Sequence, residues 1–543
     1  MDDPDKLLTS TLFIPCAGKG TRLAATGNLI PKPLITVDGK PAVAHIIDSY
    51  PQEWDVILAI GFEGEAIRNA VTAYFADSPR LKQITFVETD SYAHEGKGLS
   101  HTLLDAQDTL SDRPFVFHAS DTILKSDSWS TSFLTNINQI VLAAARYPGR
   151  YRIVKPQPQG GSAWSHIEIN PEHTTEPVYI GLAHVYSPEE FWNELAKNIV
   201  DSPEGGETLG LLPSGCSPIQ LKDGDWIDTG SGLAFEDLEE WNSRTENILP
   251  KGNEALWFSP TSVTKFHIDP DFIKGRIERA QALFPFVPKI TYVNTNAFTY
   301  KYVAGQTLSR SMESLKFDSK AMFVKLESFW FEEVKQPSVA SEITASNYLA
   351  FYKTKTEKRI VELLIEEPNL GMPVIIDGIR VPGIDQQMAM IPWEELTAPL
   401  WGRVHGDFHP ENIIESSDGT YTFLDWRQDV AGSQEAFGDV YYDLAKFAHG
   451  LRVDHGIVRR GLYSVMQQGE STVRLSLNRD VRKTKVYDEL EEFVTSRGLS
   501  WRRVQLLEAL IYLNIAPLHE PEMYRLLLGY LGRKLLHQTL TSK

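Results

Sequence analysis

The chain has 543 residues, a formal net charge of -19 and two cysteines, Cys16 and Cys216. That length predicts two or three separately cored domains, and two thiols are too few for a disulfide framework or a structural zinc site, which points to a reducing compartment. The acidity argues against nucleic acid and anionic membrane as partners, no stretch approaches the roughly 18 uninterrupted apolar residues of a membrane span, and the start MDDPDKLL is acidic, unlike a secretion signal, so the expectation is a cytoplasmic protein with small-molecule substrates, homo-oligomerisation being left open.

In chain order, TLFIPCAG reads as a strand entering a glycine loop, VAHIIDSY as a helix, DVILAIGF as a strand, EAIRNAVTAYF as a helix, and ITFVETD and PFVFHASD as strands. This alternation predicts an α/β domain with a mostly parallel sheet and helices on both faces, over residues 1–245. QIVLAAARY and VYIGLAHVYS continue it, and SPEEFWNELAKNI reads as a helix entered at Ser187. The polar stretch at residues 242–254 predicts a boundary. Beyond it a second domain, residues 255–543, begins with strands up to Val303 and continues as mainly helix, with a strand-loop-strand insert around residues 403–426.

The first chemical constellation is Ala17-Gly18-Lys19-Gly20-Thr21-Arg22-Leu23 followed by Pro31-Lys32-Pro33-Leu34. Glycines at a strand end let backbone N–H groups approach a triphosphate, while Arg22 and Lys32 supply charge for the phosphates. The pattern GxGTRL followed by PKPL resembles the signature of the sugar-nucleotidyltransferase family, which activates sugar phosphates and, in one branch, phosphocholine. The resemblance implies a Rossmann-like fold and a divalent ion, Mg²⁺ or Mn²⁺, held by Asp121 in FVFHASDTI and Asp228 in DWIDTGS. It also places Gly96 and Gly98 of Gly96-Lys97-Gly98-Leu99 against the nucleobase, with Gly18, Lys19, Gly20 and Thr21 around the nucleotide and Arg22 and Lys32 as catalytic cations. In-line attack by a phosphate oxygen on the α-phosphorus then releases pyrophosphate and requires no covalent nucleophile. Where that family commonly has Glu-Lys-Pro, this chain has Val154-Lys155-Pro156. Cys16 reads as a small buried residue behind the loop.

The second constellation is His405-Gly406-Asp407-Phe408-His409-Pro410-Glu411-Asn412, then Leu424-Asp425-Trp426. Its spacing mirrors the loop of protein kinases in which one Asp orients the attacking hydroxyl and an Asn and a later Asp bind Mg²⁺. It resembles the aminoglycoside phosphotransferase and choline kinase family, which implies a protein-kinase-like α+β phosphotransferase domain using ATP. Asp407 would be the catalytic base, and Asn412 and Asp425 the metal ligands. Asp439 and Asp443 would brace the catalytic loop, Lys265 would touch the ATP phosphates with Glu278 as its ion-pair partner, and Tyr300–Gly305 would form the adenine hinge. Trp257–Thr261 leaves little room for a glycine-rich flap, and Arg427 stands where that family usually has Glu.

Together these readings predict a bifunctional enzyme. ATP phosphorylates a small sugar or alcohol, and the product is then coupled to a nucleoside monophosphate from a second NTP, which could be CTP, UTP or GTP. Two alternatives stand beside it: an amino-alcohol kinase with a CTP-dependent cytidylyltransferase, its cation caged by aromatics among Trp393, Trp401, Trp426, Tyr441 and Tyr442, or a transferase carrying a kinase-like regulatory module.

Overall fold

Leu12, Phe13 and Ile14 are wholly buried in β1 (Thr11–Cys16), as expected of an interior strand covered on both faces. The computed structural model describes residues 9–20, 29–94, 97–124, 130–145, 147–156, 162–169, 176–200, 205–221, 226–230, 252–331, 345–469, 471–519 and 521–542. After β1 come α1 (Ala42–Asp48), β2 (Asp55–Ile60), α2 (Gly64–Tyr74), β3 (Ile84–Glu88), α3 (Leu99–Leu110) and β4 (Phe115–His118). β1 pairs in parallel with β2 and β4, and β2 with β3. Successive side chains alternate between two cores: Leu12, Ile14, Val56 and Leu58 enter one, Phe13, Ile57, Phe115 and Phe117 the other.

The chain then adds β5 (Thr122–Leu124), β6 (Gln139–Ala144), β7 (Gly149–Pro156), β8 (Ser162–Ile169), β9 (Pro177–Val185), β10 (Ser217–Gln220) and β11 (Trp226–Asp228). The large sheet runs β8-β7-β9-β4-β1-β2-β3, with β6 on β9 and β10 on β6. It is thus less uniformly parallel than the sequence predicts, since β9 is antiparallel to β4, β6 and β7. Of these strands only β7 and β8, consecutive in the chain, pair directly with each other, as an antiparallel hairpin, which needs no long crossover; β6 and β7 both pair antiparallel with β9.

β9 is irregular between Tyr179 and Ala183, and Gly181 there has φ +77°. Its carbonyl accepts from Ala119 N at 2.7 Å, and a Cβ at Gly181 would meet Ala119 Cβ at 2.6 Å. Gly181 therefore shapes the turn that carries Asp121. Gly181→Val is expected to lower stability by about 2–5 kcal/mol through positive-φ strain and overpacking, read as a fall in the denaturant midpoint of this unit.

The chain divides into two units, Met1–Ile273 with Thr291–Tyr302, and Lys274–Ile290 with Val303–Lys543. Most of the predicted boundary, residues 242–254, lies outside the described residues. β12 (Glu254–Phe258) and β13 (Ser262–His267) form a hairpin that sequence reading places in the second domain. In the division above it falls with the first unit, where Trp257 Nε1 donates to Thr36 Oγ1 at 3.0 Å and Phe258 N to Gly39 O at 2.7 Å. Its tight turn, closed by Ser259 N donating to Ser262 O at 2.9 Å, leaves no room for a glycine-rich flap.

The second unit is built mainly of helices, among them Ser319–Phe331, Val440–Arg452, Trp501–Ile515 and Glu522–Thr541, with a hairpin of Ile413–Glu415 and Tyr421–Phe423. Phe408 lies with its ring 5.4 Å from Phe329 and 4.9 Å from Phe423, anchoring the loop that bears Asp407 to the core. Among the described residues no helix is long and apolar enough to cross a membrane.

Candidate functional site

β5 and β11 pair antiparallel with Thr122 opposite Asp228, which brings Asp121 and Asp228 together although they are over a hundred residues apart in sequence. The junction is tied by Thr229 N and Oγ1, which donate to Asp121 O at 2.9 and 3.1 Å. Lys32 Nζ is salt-bridged to Asp121 Oδ2. It is presented by a 3-10 turn, Lys32–Leu34, whose flanking prolines fix the backbone. Gly230 is required by this close approach, because a Cβ there would lie 2.5 Å from Lys32 Nζ and 2.8 Å from Asp121 Oδ2.

Asp228 Oδ1 accepts from Gly230 N at 2.9 Å, and Tyr151 OH donates to Oδ2 at 3.3 Å. Burial and the neighbouring Asp121 push the Asp228 carboxyl up to about 6. Burial acts upward on Asp121 too, but the Lys32 ammonium overrides it and holds that carboxyl below its usual range. Two crowded carboxylates sharing one ammonium fit a divalent cation, which would relieve their repulsion. Among the described residues no cluster of three or more His, Cys, Asp or Glu could cage a metal, so phosphate oxygens and water would complete the shell, as is usual for nucleotide-borne Mg²⁺. Beneath the site His118 is buried, accepts from Tyr50 OH at Nδ1 (2.9 Å) and donates from Nε2 to Thr122 O (2.9 Å), and burial lowers it to about 4.

Gly18 and Lys19 are exposed, and Gly20, at φ +59°, lies against Lys32. Gly98 starts α3. Thr21, Arg22 and Gly96 lie outside the described residues. Lys155 is exposed and pairs with Glu176 at 3.2 Å. Cys16 is buried, which pushes its thiol well above the usual range and makes it a packing residue.

In the second unit Asn412 Nδ2 donates to Asp407 O at 2.9 Å and approaches Asp407 Oδ2 at 3.4 Å, and Lys446 Nζ pairs with Asp407 Oδ1 at 2.8 Å. Burial alone would raise Asp407, yet Lys446 and His409 hold it well below the usual carboxylate range, so it stays ionised. Asp425, at φ +56°, takes Arg276 Nη1 on Oδ1 at 2.9 Å. Both oxygens of buried Asp443 accept backbone N–H bonds, from His405 at 2.7 Å and Gly406 at 2.8 Å, and burial pushes its carboxyl up to about 7. Gly406 sits at φ +89°, a turn Asp443 clamps. His405 is lowered to about 3 by burial and is therefore neutral. Asp439 caps its helix through Tyr441 N and takes Arg503 Nη2 at 2.6 Å. Asp443→Ala would strand two buried amides and is expected to destabilise the second unit by about 2–4 kcal/mol, measured by chemical denaturation.

One expected pair is corrected. Lys265 Nζ lies 2.8 Å from Glu254, while Glu278 is exposed on its helix. The reason is geometric: Leu256 pairs with Lys265 and Glu254 with His267, so Glu254 is the diagonal neighbour on the same sheet face. The helix Pro270–Leu283 instead turns Arg276 and Arg279 inward, and Arg279 Nη1 donates to Glu435 O at 2.7 Å. Sequence reading misses Tyr151, Arg276 and Lys446. Only Lys446 carried a signal, since Tyr442, Asp443 and Lys446 share a helix face at i, i+1 and i+4 around the recognised Asp443.

Comparison with known proteins bears on the N-terminal part. No family model matches the chain. It is 31% identical over 198 residues to the bifunctional protein GlmU of Methanococcus maripaludis, covering 36% of this chain and 43% of that protein. It is 32% identical over 134 residues to a probable glucose-1-phosphate cytidylyltransferase of Bacillus subtilis, covering 20% of this chain and 48% of that protein. A solved UDP-glucose pyrophosphorylase complexed with UDP-glucose aligns at 15% identity with a TM-score of 0.34, over 43% of this chain and 97% of that one. The N-terminal part of the chain is thus related to nucleotidyltransferases. More narrowly, its relatives include proteins named for glucose 1-phosphate, although the chain spans only about half the length of the curated relatives it matches.

Proposed function

We propose that the first unit transfers a nucleoside monophosphate from an NTP to the phosphate of a small acceptor, a sugar phosphate in the first instance, with release of pyrophosphate. The observation that carries this reading is the meeting of Asp121, Asp228 and Lys32 at the β5–β11 junction beside the glycine loop. Asp121 and Asp228 would hold a divalent ion, which when bound supplies charge neutralisation to the triphosphate and the acceptor phosphate. Lys32, on its rigid turn, stabilises the charge that grows on the departing pyrophosphate, and Tyr151 fixes the orientation of Asp228 by hydrogen bond. No covalent intermediate is needed.

The second unit, in the same proposal, is a small-molecule kinase that makes the phosphorylated acceptor. Asp407 orients and accepts the proton of the acceptor hydroxyl, Asn412 and Asp425 would hold a divalent ion that, when bound, neutralises the ATP phosphates, and Asp443 holds the loop. The Asp407–Asn412 contact and the ionised state of Asp407 support this part. Tethering the two activities keeps the intermediate at high local concentration. The test is a screen of purified protein with ATP against sugars, polyols and amino alcohols, and without ATP against their phosphate esters, each NTP added in turn, following ADP and pyrophosphate separately. Pyrophosphate release that depends on both an acceptor and ATP supports the series. Its absence with every phosphorylated acceptor would remove the transferase reading.

A further inference from the structure

We infer that the kinase-like site takes an acceptor carrying a negative charge, a carboxylate or a phosphate, in place of a cationic amino alcohol. The inference rests on the kinase reading of the second unit. Its starting observation is the environment of Asp407, whose two carboxylate oxygens face different neighbours: Oδ2 turns toward Asn412, on the proposed ATP side, and Oδ1 toward Lys446. On the Lys446 side the cations continue. Tyr442 lies one helical turn before Lys446, and its ring is 4.9 Å from that of Phe351. The guanidinium of Arg427 lies 5.6 Å from the centre of the Phe351 ring, and Lys355 Nζ lies 5.1 Å from it.

The Phe351 ring beside the site is therefore occupied by cations of the protein itself, and Tyr441 has Arg503 over its face at 4.5 Å. Arg427 also packs against the catalytic turn, since a Cβ on Gly406 would lie 3.0 Å from Arg427 Cδ. The acids facing this cluster are Asp407, already paired with Lys446, and Asp429. Among the described residues neither Lys355 nor Arg427 is in an ion pair. Burial first, and then repulsion from Arg427 and Lys446, lower Lys355 below its usual range although Tyr442 acts the other way. The local backbone is also unusual: Ala350–Thr354 is a π-helical turn within an otherwise α-helical run, a feature frequent at functional sites, and it carries Phe351 beside Lys355. Lys446 is compensated by Asp407, and Arg427 in part by Tyr442 and Asp429, but three cations gathered beside the catalytic carboxylate attract an anion and repel an ammonium.

The experiment measures ATP turnover by the full chain with D-glucuronate, D-glycerate, D-glucose, glycerol and choline. The expected result is a preference of roughly tenfold or more in kcat/KM for an acid over its neutral counterpart, with choline inert. Lys355→Met and Arg427→Met should each raise KM for the acid and leave KM for ATP as it was. A preference for glucose, glycerol or choline overturns the inference, and so does a Lys355→Met effect confined to KM for ATP, which would assign the cluster to the nucleotide. Failure of the kinase reading is seen separately, as no ADP with any acceptor. Calorimetric titration of glucuronate and glycerate then decides the inference: binding weakened by both substitutions upholds it, and no binding of either acid overturns it.

Discussion

Asp121→Asn is expected to cut pyrophosphate release on the order of 10²–10³-fold while leaving ATP-dependent phosphorylation of the acceptor at its normal rate. The substitution keeps the shape of the side chain but removes the charge that Lys32 neutralises and that, with Asp228, would bind the divalent ion. The loss should fall on kcat, because the carboxylate is proposed to act on charge that develops during transfer. It should not be recovered by raising the NTP concentration. Lys32→Met should lower kcat through the same charge. Pyrophosphate release assays on both variants, run beside ADP assays on the same preparations, check this. Normal pyrophosphate release by Asp121→Asn would remove Asp121 from the site.

Asp407→Ala should reduce ADP formation by about 10³-fold or more, since it deletes the group proposed both to accept the proton and to orient the hydroxyl. It also leaves Lys446 without its partner in a buried setting, which adds to the positive cluster. Asp407→Asn separates these effects: it restores shape and a hydrogen-bonding group but not the charge, and should remain nearly as inactive. Single-turnover measurement of ADP with saturating acceptor is the direct check. Pyrophosphate release from a phosphorylated acceptor should be untouched in both variants, because Asp121, Asp228 and Lys32 belong to the other unit.

The central strands of the first unit are legible in sequence because apolar runs such as LFI and VILAI have no other way to be buried than between two helical layers. The antiparallel pairing of β9 with β4, β6 and β7 is not legible in sequence, since the local pattern of a strand says nothing of its partner's direction. Asp121 and Asp228 could be paired from their motifs before any geometry, and the β5–β11 register supplies the physical reason they meet. Tyr151 could not be found, because an isolated Tyr on a strand carries no motif and reaches Asp228 only through tertiary packing. Lys265 shows the opposite limit. Its kinase-like position suggested Glu278, but a β-hairpin fixes its diagonal neighbour locally, and Glu254 is two residues from the facing position. The contact of the β12–β13 hairpin with the first unit is illegible for a similar reason: chain order is visible in sequence, whereas the Trp257–Thr36 bond is not.

The two units are proposed to work in series through one phosphorylated acceptor. The most direct test supplies the Asp407→Ala protein first with free acceptor, ATP and NTP, and then with pre-phosphorylated acceptor and NTP, and follows the nucleotide-linked product by chromatography. No product in the first case and product at the wild-type rate in the second is the predicted result. Product formed at the wild-type rate from free acceptor, or none from the phosphorylated acceptor on which the wild-type chain acts, would contradict it.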